Sequence, residues 1–362
     1  MAGHSYGRLN MDKKRFSSLL LDWYHENKRD LPWRKTKDPY KIWLSEVLMQ
    51  QTRVNQGLPY YLQFVKKFPT VKKLAQSPEK EVLRLWQGLG YYSRARNLHR
   101  CAKLVSNHLH GRFPKSVTEL KRLPGIGDYT AAAIASMAFH QPSAVVDGNV
   151  FRVLSRLFGI DLNIASPNGK KYFFELANSL IPHDQPGEFN QAMMEFGAMH
   201  CMPRNPKCDE CIFSRRCVAY QNGRQLLLPV KSKMKKKKVR HFNYFVIRSG
   251  KNIWMKPRES KDIWQGLNEY FLIESKRQLS DSKAMELFTK ETAMSLPMAQ
   301  RKSIRINQIL SHQEIMGKFF EIDFSNVSHH TLRHGKFFSE QDIERMAKPV
   351  LIRKYLKDFP LG

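Results

Sequence analysis

Four cysteines lie within one short stretch of the chain, at Cys201, Cys208, Cys211 and Cys217. Six, two and five residues separate them, so a single loop can bring four thiolates around one metal centre. Zinc ribbons use a regular repeat of Cys-x-x-Cys pairs, which this spacing does not show. A cubane iron–sulfur cluster, which takes four Cys thiolates, fits better, although the spacing alone leaves a structural zinc site open.

The charge of the whole chain indicates a polyanion as its partner. There are 61 Lys and Arg against 32 Asp and Glu, which gives a net charge of +29 and favours nucleic acid or an anionic membrane. The most apolar stretch, Thr130–Phe139, is too short to span a bilayer, and the start shows no signal-peptide pattern. The cysteine loop adds four basic residues: Arg204, Lys207, Arg215 and Arg216. We therefore expect the cysteine loop to bind a phosphate backbone, and we expect no membrane partner.

Length and cysteine usage limit the architecture and the compartment. With 362 residues, 42% of them hydrophobic, the chain can bury two cores, unlike the smaller and less apolar ribosomal or histone-like proteins. Cys101 lies in a predicted helix, and nothing indicates a disulfide framework. We therefore expect a reducing, cytoplasmic compartment.

Apolar residues at helical spacing, separated by Pro and Gly, predict a mainly α first region. We place this helical domain at residues 11–223, with the cysteine loop at 201–217, and expect disorder in Met1–Asn10. The predicted helices are Lys13–Glu26, Tyr40–Gly57, Glu79–Gln87, Arg94–His110, Thr130–Phe139, Val150–Phe158, Lys170–Ile181 and Gln191–His200.

A change of composition after the cysteine loop predicts a second domain. Residues 231–240 hold six Lys and one Arg with no acidic residue, so we assign residues 224–240 as a basic linker. Beyond it, His241–Ile247 and Arg305–Ser311 predict strands, whereas Asp281–Lys290 and Glu340–Lys357 predict helices. The expected fold class is mainly α, followed by a smaller α/β domain at residues 241–362.

A Pro-Gly-x-Gly turn separates two predicted helices at Leu123-Pro124-Gly125-Ile126-Gly127. Its glycines expose backbone N–H groups where a helix begins, which makes a natural seat for phosphate. An ordinary helix connection with a Gly cap explains the same residues. The basic chain and the cysteine loop favour a helix–hairpin–helix, in which Leu123, Gly125 and Gly127 contact the DNA backbone without reading its sequence.

Glu46 and Asp147 form a candidate pair of catalytic carboxyl groups. The helical neighbours of Glu46, among them Ile42 and Trp43, are apolar, so its pKa should be raised and suit a general acid. Asp147 precedes a helix, whose N-terminus favours the ionised form. Carboxyl groups in opposed environments cleave glycosidic bonds. Locally, however, Asp147 is also a good N-cap residue and Glu46 could be an exposed residue of an amphipathic helix, so the residues alone leave the function open.

Together these motifs resemble the MutY-type adenine DNA glycosylases, which share a helix–hairpin–helix superfamily with endonuclease III. The resemblance implies a two-lobed glycosylase domain that binds duplex DNA and holds a [4Fe–4S] cluster on the four cysteines instead of zinc. The matching pieces follow the family's order over residues 31–217: Leu31-Pro32-Trp33-Arg34, Ser45–Thr52, Gly88–Arg96, the Pro-Gly hairpin, Val146–Val150 and the four cysteines.

The resemblance also implies how a flipped adenine is bound and released. The base enters a pocket formed near Leu31, Trp33 and Arg34, where Gln191 hydrogen-bonds it. Glu46 protonates adenine N7 and later activates a water molecule. Asp147 stabilises the oxocarbenium ion electrostatically or by transient covalent capture.

Four further positions receive supporting roles from the resemblance. Tyr129 and Asn149 assist Asp147 and the nucleophile, while Gln51 and Tyr91 wedge into the base stack. Lyases of the superfamily place at the position of Tyr129 a Lys that forms a Schiff base with the abasic sugar. A tyrosine cannot form one, so the resemblance implies a monofunctional glycosylase.

The C-terminal region resembles the Nudix-like recognition domain of the same family, on Trp264–Leu267 and Ile309–His312. In the family a Phe-Ser-His tip reads 8-oxoguanine opposite the adenine. This chain has Leu310 in place of the Phe, which keeps Ser311 and His312 as readers and removes an aromatic contact. We find no acid-rich Nudix box and expect no nucleotide hydrolysis.

The resemblance as a whole implies a monomeric base-excision enzyme that removes adenine mispaired with 8-oxoguanine or guanine. The linker lacks further cysteines, which favours a bacterial, nucleoid-associated protein over an animal one. One rival is an endonuclease III-like lyase acting on oxidised pyrimidines, against which Tyr129 and the second domain argue. A rival of another class is a non-catalytic DNA-binding protein with a cluster.

Overall fold

The chain divides into two units, residues 1–76 with 97–233 and residues 77–96 with 234–362. The computed structural model describes residues 12–232, 237–294, 303–323, 332 and 334–359. The predicted disorder of Met1–Asn10 and part of the predicted linker lie outside the described residues. The predicted boundaries at 11–223, 224–240 and 241–362 stay predictions.

The first unit is helical, as its apolar periodicity predicts. Among the described residues, no helix has the length and apolarity needed to cross a membrane. The helix α5 and the first residues of α6 belong to the second unit. The helices up to residue 221 are α1 (Lys13–Asn27), α2 (Pro39–Met49), α3 (Val54–Lys67), α4 (Val71–Gln76), α5 (Glu79–Leu85), α6 (Tyr92–His108), α7 (Val117–Leu120), α8 (Asp128–Phe139), α9 (Gly148–Phe158), α10 (Pro167–Leu180), α11 (Pro186–Met199) and α12 (Val218–Gln221).

The predicted helix Tyr40–Gly57 is wrong, because two helices occupy this stretch and meet at a sharp turn. Gln51 adopts a φ of 55° between α2 and α3, and a left-handed residue cannot continue a right-handed helix. Gly57 does not end α3. A Cβ at this position would lie 2.5 Å from Met49 Cε, so the glycine allows α3 to pack closely against the end of α2.

The first unit has a core in which α1, α9, α10 and α11 meet around Phe16, Phe173 and Phe196. Two glycines let α11 approach its neighbours closely. A Cβ at Gly187 would lie 2.9 Å from the Met137 Cα on α8, and one at Gly197 would lie 2.6 Å from the Asn149 Cβ on α9. This close packing brings the faces of α8, α9 and α11 into one site.

The described residues of the second unit include a seven-stranded mixed sheet. Its central strand β1 pairs in parallel with β6 and antiparallel with β2 and β4, while β5 pairs antiparallel with β6. The α/β class of this region is confirmed. The strands are β1 (Lys238–Ser249), β2 (Asn252–Pro257), β3 (Asn268–Glu269), β4 (Phe271–Ser275), β5 (Ser303–Ile309), β6 (Gln313–Asp323) and β7 (Lys336–Ser339).

Helices pack on both faces of this sheet. On one face, Phe288 of α13 (Asp281–Thr292) stacks on Phe245 of β1, with ring centroids 4.5 Å apart. On the other, Tyr355 of α15 (Val350–Asp358) stacks on Phe319 of β6 at the same distance, 4.5 Å. These aromatic contacts anchor the C-terminal helices to the sheet.

The predicted helix Glu340–Lys357 is also wrong, because it consists of α14 (Glu340–Arg345) followed by α15. Pro349 is the N-cap of α15, and the residue before a proline is biased away from helical backbone. The predicted strand Arg305–Ser311 corresponds to β5, which ends at Ile309. Ser311 and His312 therefore occupy the turn between β5 and β6.

Candidate active site

Glu46 is a buried carboxyl group on α2, with 8% of its surface exposed. Burial raises its pKa from the usual 4.5 to about 7, helped by the nearby Asp147 carboxyl group and opposed by Arg34 and by a hydrogen bond from Tyr129. The direction is the one that its apolar neighbours Ile42 and Trp43 predict. Near neutral pH, Glu46 therefore exchanges a proton readily.

Tyr129, in the first turn of α8, holds this carboxyl group in place. Its hydroxyl donates to Glu46 Oε2 at 2.6 Å and also lies 3.3 Å from Met194 Sδ on α11. Burial raises the pKa of Tyr129 well above its usual 10, so the hydroxyl keeps its proton. The resemblance gave Tyr129 a role in supporting Asp147 and the nucleophile, and the structure shows that its direct hydrogen-bond partner is Glu46.

Asp147 caps the N-terminus of α9 through Oδ1, and its Oδ2 binds the Asn149 side chain. Oδ1 accepts from the backbone N–H groups of Asn149 at 2.9 Å and Val150 at 2.8 Å, and Oδ2 accepts from Asn149 Nδ2 at 2.7 Å. Burial nevertheless raises the pKa of Asp147, while these hydrogen bonds and Arg152 act in the opposite direction. The sequence predicts an ionised Asp147 from its place at a helix N-terminus, and burial, the largest influence on its pKa, acts against that form.

Arg152 orients Asn149 and was missed from the sequence. Its Nη2 donates to Asn149 Oδ1 at 2.9 Å and to the Gly197 carbonyl at 2.6 Å, and its Nε donates to the Cys201 carbonyl at 2.8 Å. With its oxygen engaged by Arg152, the Asn149 amide must turn its NH₂ group toward Asp147. The available signal was an arginine three residues after Asn149, which places both side chains on one face of α9.

The predicted base pocket contains a buried ion-pair cluster. Arg34 donates to Glu195 Oε2 at 2.7 Å and to the Arg29 carbonyl at 2.9 Å. Burial alone would raise the pKa of Glu195, but hydrogen bonds from Arg29 and Arg34 lower it to about 2. Arg34 is therefore held by Glu195, a residue that the sequence did not single out.

The other predicted pocket residues are positioned by aromatic side chains and the core. Leu31 is 5% exposed, and the Trp33 ring packs edge-on against Tyr61 with centroids 5.0 Å apart. Gln191 accepts a 2.8 Å hydrogen bond through Oε1 from the Tyr24 hydroxyl. Because burial raises the pKa of Tyr24 to about 12, this hydroxyl stays a donor and fixes the orientation of the Gln191 amide.

The hairpin between α7 and α8 has the backbone that its glycines predict. Gly125 adopts a φ of 77°, and a Cβ there would lie 2.7 Å from the Asn97 Cβ. Gly127 is the N-cap of α8, and among the described residues no atom outside its own chain segment lies within 4 Å of the position that a Cβ would occupy. Leu123 is buried, so it supports the turn while Gly127 leaves the helix N-terminus open to a ligand.

Two predicted DNA-contact residues meet in the second unit. The hydroxyl groups of Tyr91 and Ser311 form a hydrogen bond, and Tyr91 has a φ of 50° with 37% of its surface exposed. Ser311 and His312 are both exposed in the β5–β6 turn. The predicted wedge residue Gln51, in the first unit, is exposed and has a left-handed backbone.

All four loop cysteines line one cavity. Arg156 Nη1 lies 3.4 Å from Cys201 Sγ, and the Phe213 N–H donates to Cys211 Sγ at 3.4 Å. Buried Arg156 also donates to the carbonyl groups of residues 201, 202, 203 and 228. In the described part of the chain, no three His, Cys, Asp or Glu side chains are arranged to hold a single metal ion.

Known proteins resemble this chain over both units. Residues 44–182 match the HhH-GPD superfamily of base excision DNA repair proteins. The adenine DNA glycosylase of Buchnera aphidicola subsp. Acyrthosiphon pisum (strain APS) is 31% identical over 355 residues, which cover 96% of this chain and 99% of that protein. The adenine DNA glycosylase of subsp. Schizaphis graminum (strain Sg) is 37% identical over 253 residues, 70% of this chain and 73% of that protein. A solved structure of a thermostable thymine-DNA glycosylase is 34% identical, with a TM-score of 0.54, and covers 58% of this chain and 97% of its own.

The buried Glu46 predicts that Glu46→Gln increases stability above neutral pH. The unfolded chain releases this proton near pH 4.5 and the folded chain near pH 7, so the wild type loses stability as pH rises between these values. An amide still accepts from Tyr129 and has no proton to lose. We expect the variant to gain up to about 3 kcal/mol at pH 8 and little at pH 4.5.

Urea unfolding, followed by circular dichroism at both pH values, measures this gain. Glu26→Gln is the matched control, because Glu26 is exposed on α1 and its replacement should change stability equally at both. A gain for Glu46→Gln that did not depend on pH would contradict the assigned burial cost.

Proposed function

The chain belongs to the adenine DNA glycosylases of base excision repair, and we propose that it hydrolyses the N-glycosidic bond of adenine mispaired with 8-oxoguanine or guanine in duplex DNA. The observation that carries the proposal is the pair of buried carboxyl groups in the first unit. Glu46 has a pKa of about 7, whereas Asp147 accepts three hydrogen bonds. One group is poised to transfer a proton, and the other is fixed to stabilise positive charge.

Glu46 acts first as a general acid. An adenine extruded from the duplex presents N7 to the protonated carboxyl group, and proton transfer makes the base a better leaving group. A pKa near the working pH gives a useful fraction of the acid form together with a strong tendency to donate. Tyr129 restricts the carboxyl group to one orientation by occupying Oε2.

Asp147 stabilises the oxocarbenium ion that remains on the sugar. Its carboxyl group is already oriented by Asn149 and by the first turn of α9, so little reorganisation is needed when the positive charge develops. Glu46, ionised after the first step, then accepts a proton from the water that attacks the sugar. Because Tyr129 replaces the lysine of the lyase branch, the product is an uncut abasic site.

Adenine is recognised by groups that the structure holds rigidly. Gln191, locked by Tyr24, presents its amide NH₂ to an acceptor on the base. Arg34 is fixed by Glu195, and Leu31 and Trp33 supply apolar surface. Gln51 fills the space that the flipped base leaves, and the open N-terminus of α8 at Gly127 binds a backbone phosphate.

The cysteine cavity fits a [4Fe–4S] cluster held by Cys201, Cys208, Cys211 and Cys217. The donor set is entirely thiol, all four cysteines face the same cavity, and a cubane takes four Cys ligands. When bound, the cluster supplies structural order to the loop. Arg156 on α9 hydrogen-bonds the same loop. The phosphate backbone is then bound by the basic residues of the loop, Arg204, Lys207, Arg215 and Arg216.

The turn between β5 and β6 reads the base opposite the adenine. Ser311 is exposed in this turn and is hydrogen-bonded to Tyr91, so a hydroxyl that hydrogen-bonds 8-oxoguanine lies beside an aromatic wedge. His312 extends the same polar tip. We expect the protein to act as a monomer in the cytoplasm of a bacterium.

Single-turnover excision from duplexes with adenine opposite 8-oxoguanine, guanine or thymine tests the proposed chemistry. We expect adenine release opposite 8-oxoguanine, strand cleavage only after alkali, and a rate that falls as pH rises above about 7, because Glu46 then loses its proton. Glu46→Gln should lower the rate roughly 10²–10⁴-fold and keep DNA binding.

Glu26→Gln serves again as the control and should retain the wild-type rate. Normal excision by Glu46→Gln would assign the acid to another residue. Cleavage of an oxidised-pyrimidine duplex without alkali would favour the lyase, and binding without excision would favour the non-catalytic protein. A duplex with thymine opposite guanine tests the activity named for the similar thymine-DNA glycosylase.

Ser311→Ala should reduce the preference for 8-oxoguanine over guanine opposite adenine, because it removes the proposed hydrogen-bonding hydroxyl group. We expect the ratio of the two excision rates to fall several-fold, in line with one lost hydrogen bond of roughly 1 kcal/mol. Leu310→Ala is a matched control in the same turn. An unchanged ratio for Ser311→Ala would place the reader elsewhere.

Cys208→Ser should lower the iron content and the affinity for damaged DNA while keeping the helical circular dichroism spectrum. The physical reason is that three remaining thiols hold the cluster less well, so the basic loop loses its order. Iron analysis and equilibrium DNA binding measure both effects, and Cys101→Ser, outside the loop, should retain iron. Wild-type iron content and wild-type DNA affinity in Cys208→Ser would contradict the proposal that the cluster orders a DNA-binding loop.

A further inference from the structure

One face of the C-terminal sheet changes character along its length. Where α13 packs, the facing residues are apolar, with Phe245 beside Phe320 at a centroid distance of 5.1 Å. Toward the β5–β6 turn, two cross-strand rows on the same face are largely polar. The rows are Asn243–Lys318–Arg305 and His241–Met316–Asn307, and we call them the polar half-face.

The polar half-face lines a small cavity of about 150 Å³. The ionisable side chains that line it in the described structure are all basic: His241, Arg305 and Lys318. His241 Nδ1 is buried without a hydrogen-bond partner among the described atoms. Asn307 supplies an exposed amide, so this surface suits an anion that accepts several hydrogen bonds.

The charges at the base of the cavity are already arranged. Lys318 donates to Asp281 Oδ1 at 2.6 Å and to the Leu279 carbonyl at 2.7 Å. Asp281 also accepts from the Ser303 hydroxyl at 2.9 Å. Lys318 is therefore paired with Asp281 and held rigidly. The exposed guanidinium of Arg305 is then the main charge available to a ligand.

We propose that the polar half-face seats a backbone phosphate of the DNA strand that the Ser311–His312 turn contacts. Arg305 is the charged contact, and Asn307 and His241 add hydrogen bonds. A guanidinium matches the geometry of phosphate oxygens and donates to two of them at once. The inference rests on the proposed role of the β5–β6 turn in reading the base opposite the adenine.

Continuity with that turn favours DNA as the occupant. Arg305 and Asn307 lie on β5, six and four residues before Ser311. At about 3.3 Å per residue these separations are roughly 20 Å and 13 Å along the strand. Since one DNA strand advances about 3.4 Å per nucleotide, the contacted phosphate lies within about six nucleotides of the base at the turn.

Salt-dependent binding of the full chain to a duplex with adenine opposite 8-oxoguanine tests the proposal. Arg305→Gln should weaken binding about threefold to tenfold at low salt and reduce the slope of log K against log salt by about one, because one fewer counterion is released. Lys290→Gln is the matched control, since Lys290 is exposed near the other end of α13, and its slope should equal that of the wild type.

Neutral methylphosphonate linkages, placed singly within six nucleotides of 8-oxoguanine, then locate the contact. One linkage should weaken binding by the wild type and leave binding by Arg305→Gln unaffected. An unchanged salt slope in Arg305→Gln would overturn the proposal. So would an Arg305-dependent affinity for deoxyguanosine monophosphate alone with unchanged DNA binding, because the cavity would then be a free-nucleotide site.

Excision by the wild type separates this inference from the proposed function. If the wild type releases adenine opposite 8-oxoguanine and Arg305→Gln leaves the salt slope unchanged, only the proposed phosphate site is overturned. If Arg305→Gln reduces the salt slope but the wild type releases no adenine, the phosphate site is supported and the proposed chemistry is overturned.

Discussion

The capping of α9 by Asp147 is the interaction on which the first unit depends. The same carboxyl group satisfies the backbone N–H groups at the helix start and lies near Glu46, the other member of the proposed catalytic pair. Farther along α9, Arg152 and Arg156 hold the carbonyl groups of the cysteine loop. One helix therefore links Asp147 to the cysteine loop.

Burial of Glu46 lowers the stability of the fold at the position that we propose to be catalytic. A carboxyl group with a pKa near 7 in the fold is less stable as an anion than the same group in water, so folding is opposed above neutral pH. Tyr129 offsets part of this cost with one hydrogen bond. The same desolvation that weakens the fold lets Glu46 keep a proton for transfer.

The second unit depends on strand pairing between distant parts of the chain. Parallel pairing sets His241 opposite Met316 and Asn243 opposite Lys318, although more than seventy residues separate the partners. Two predicted strands were recovered because β-branched and aromatic residues marked them. Their register, and the polar half-face that it creates, were not predictable because no local pattern encodes which strand lies beside which.

By itself the sequence determined the elements with strong local signals: most helices of the first unit, the Pro-Gly hairpin, the cysteine loop, and Glu46 and Asp147 as the acidic residues of interest. Local periodicity could not reveal the break at Gln51, because a left-handed residue is imposed by the packing of α2 against α3. Only the tertiary structure decided that Tyr129 bonds Glu46, that Tyr24 orients Gln191, and that burial outweighs the helix N-terminus at Asp147. Desolvation and hydrogen-bond geometry depend on side chains brought together from distant positions, and the linear sequence does not contain those distances.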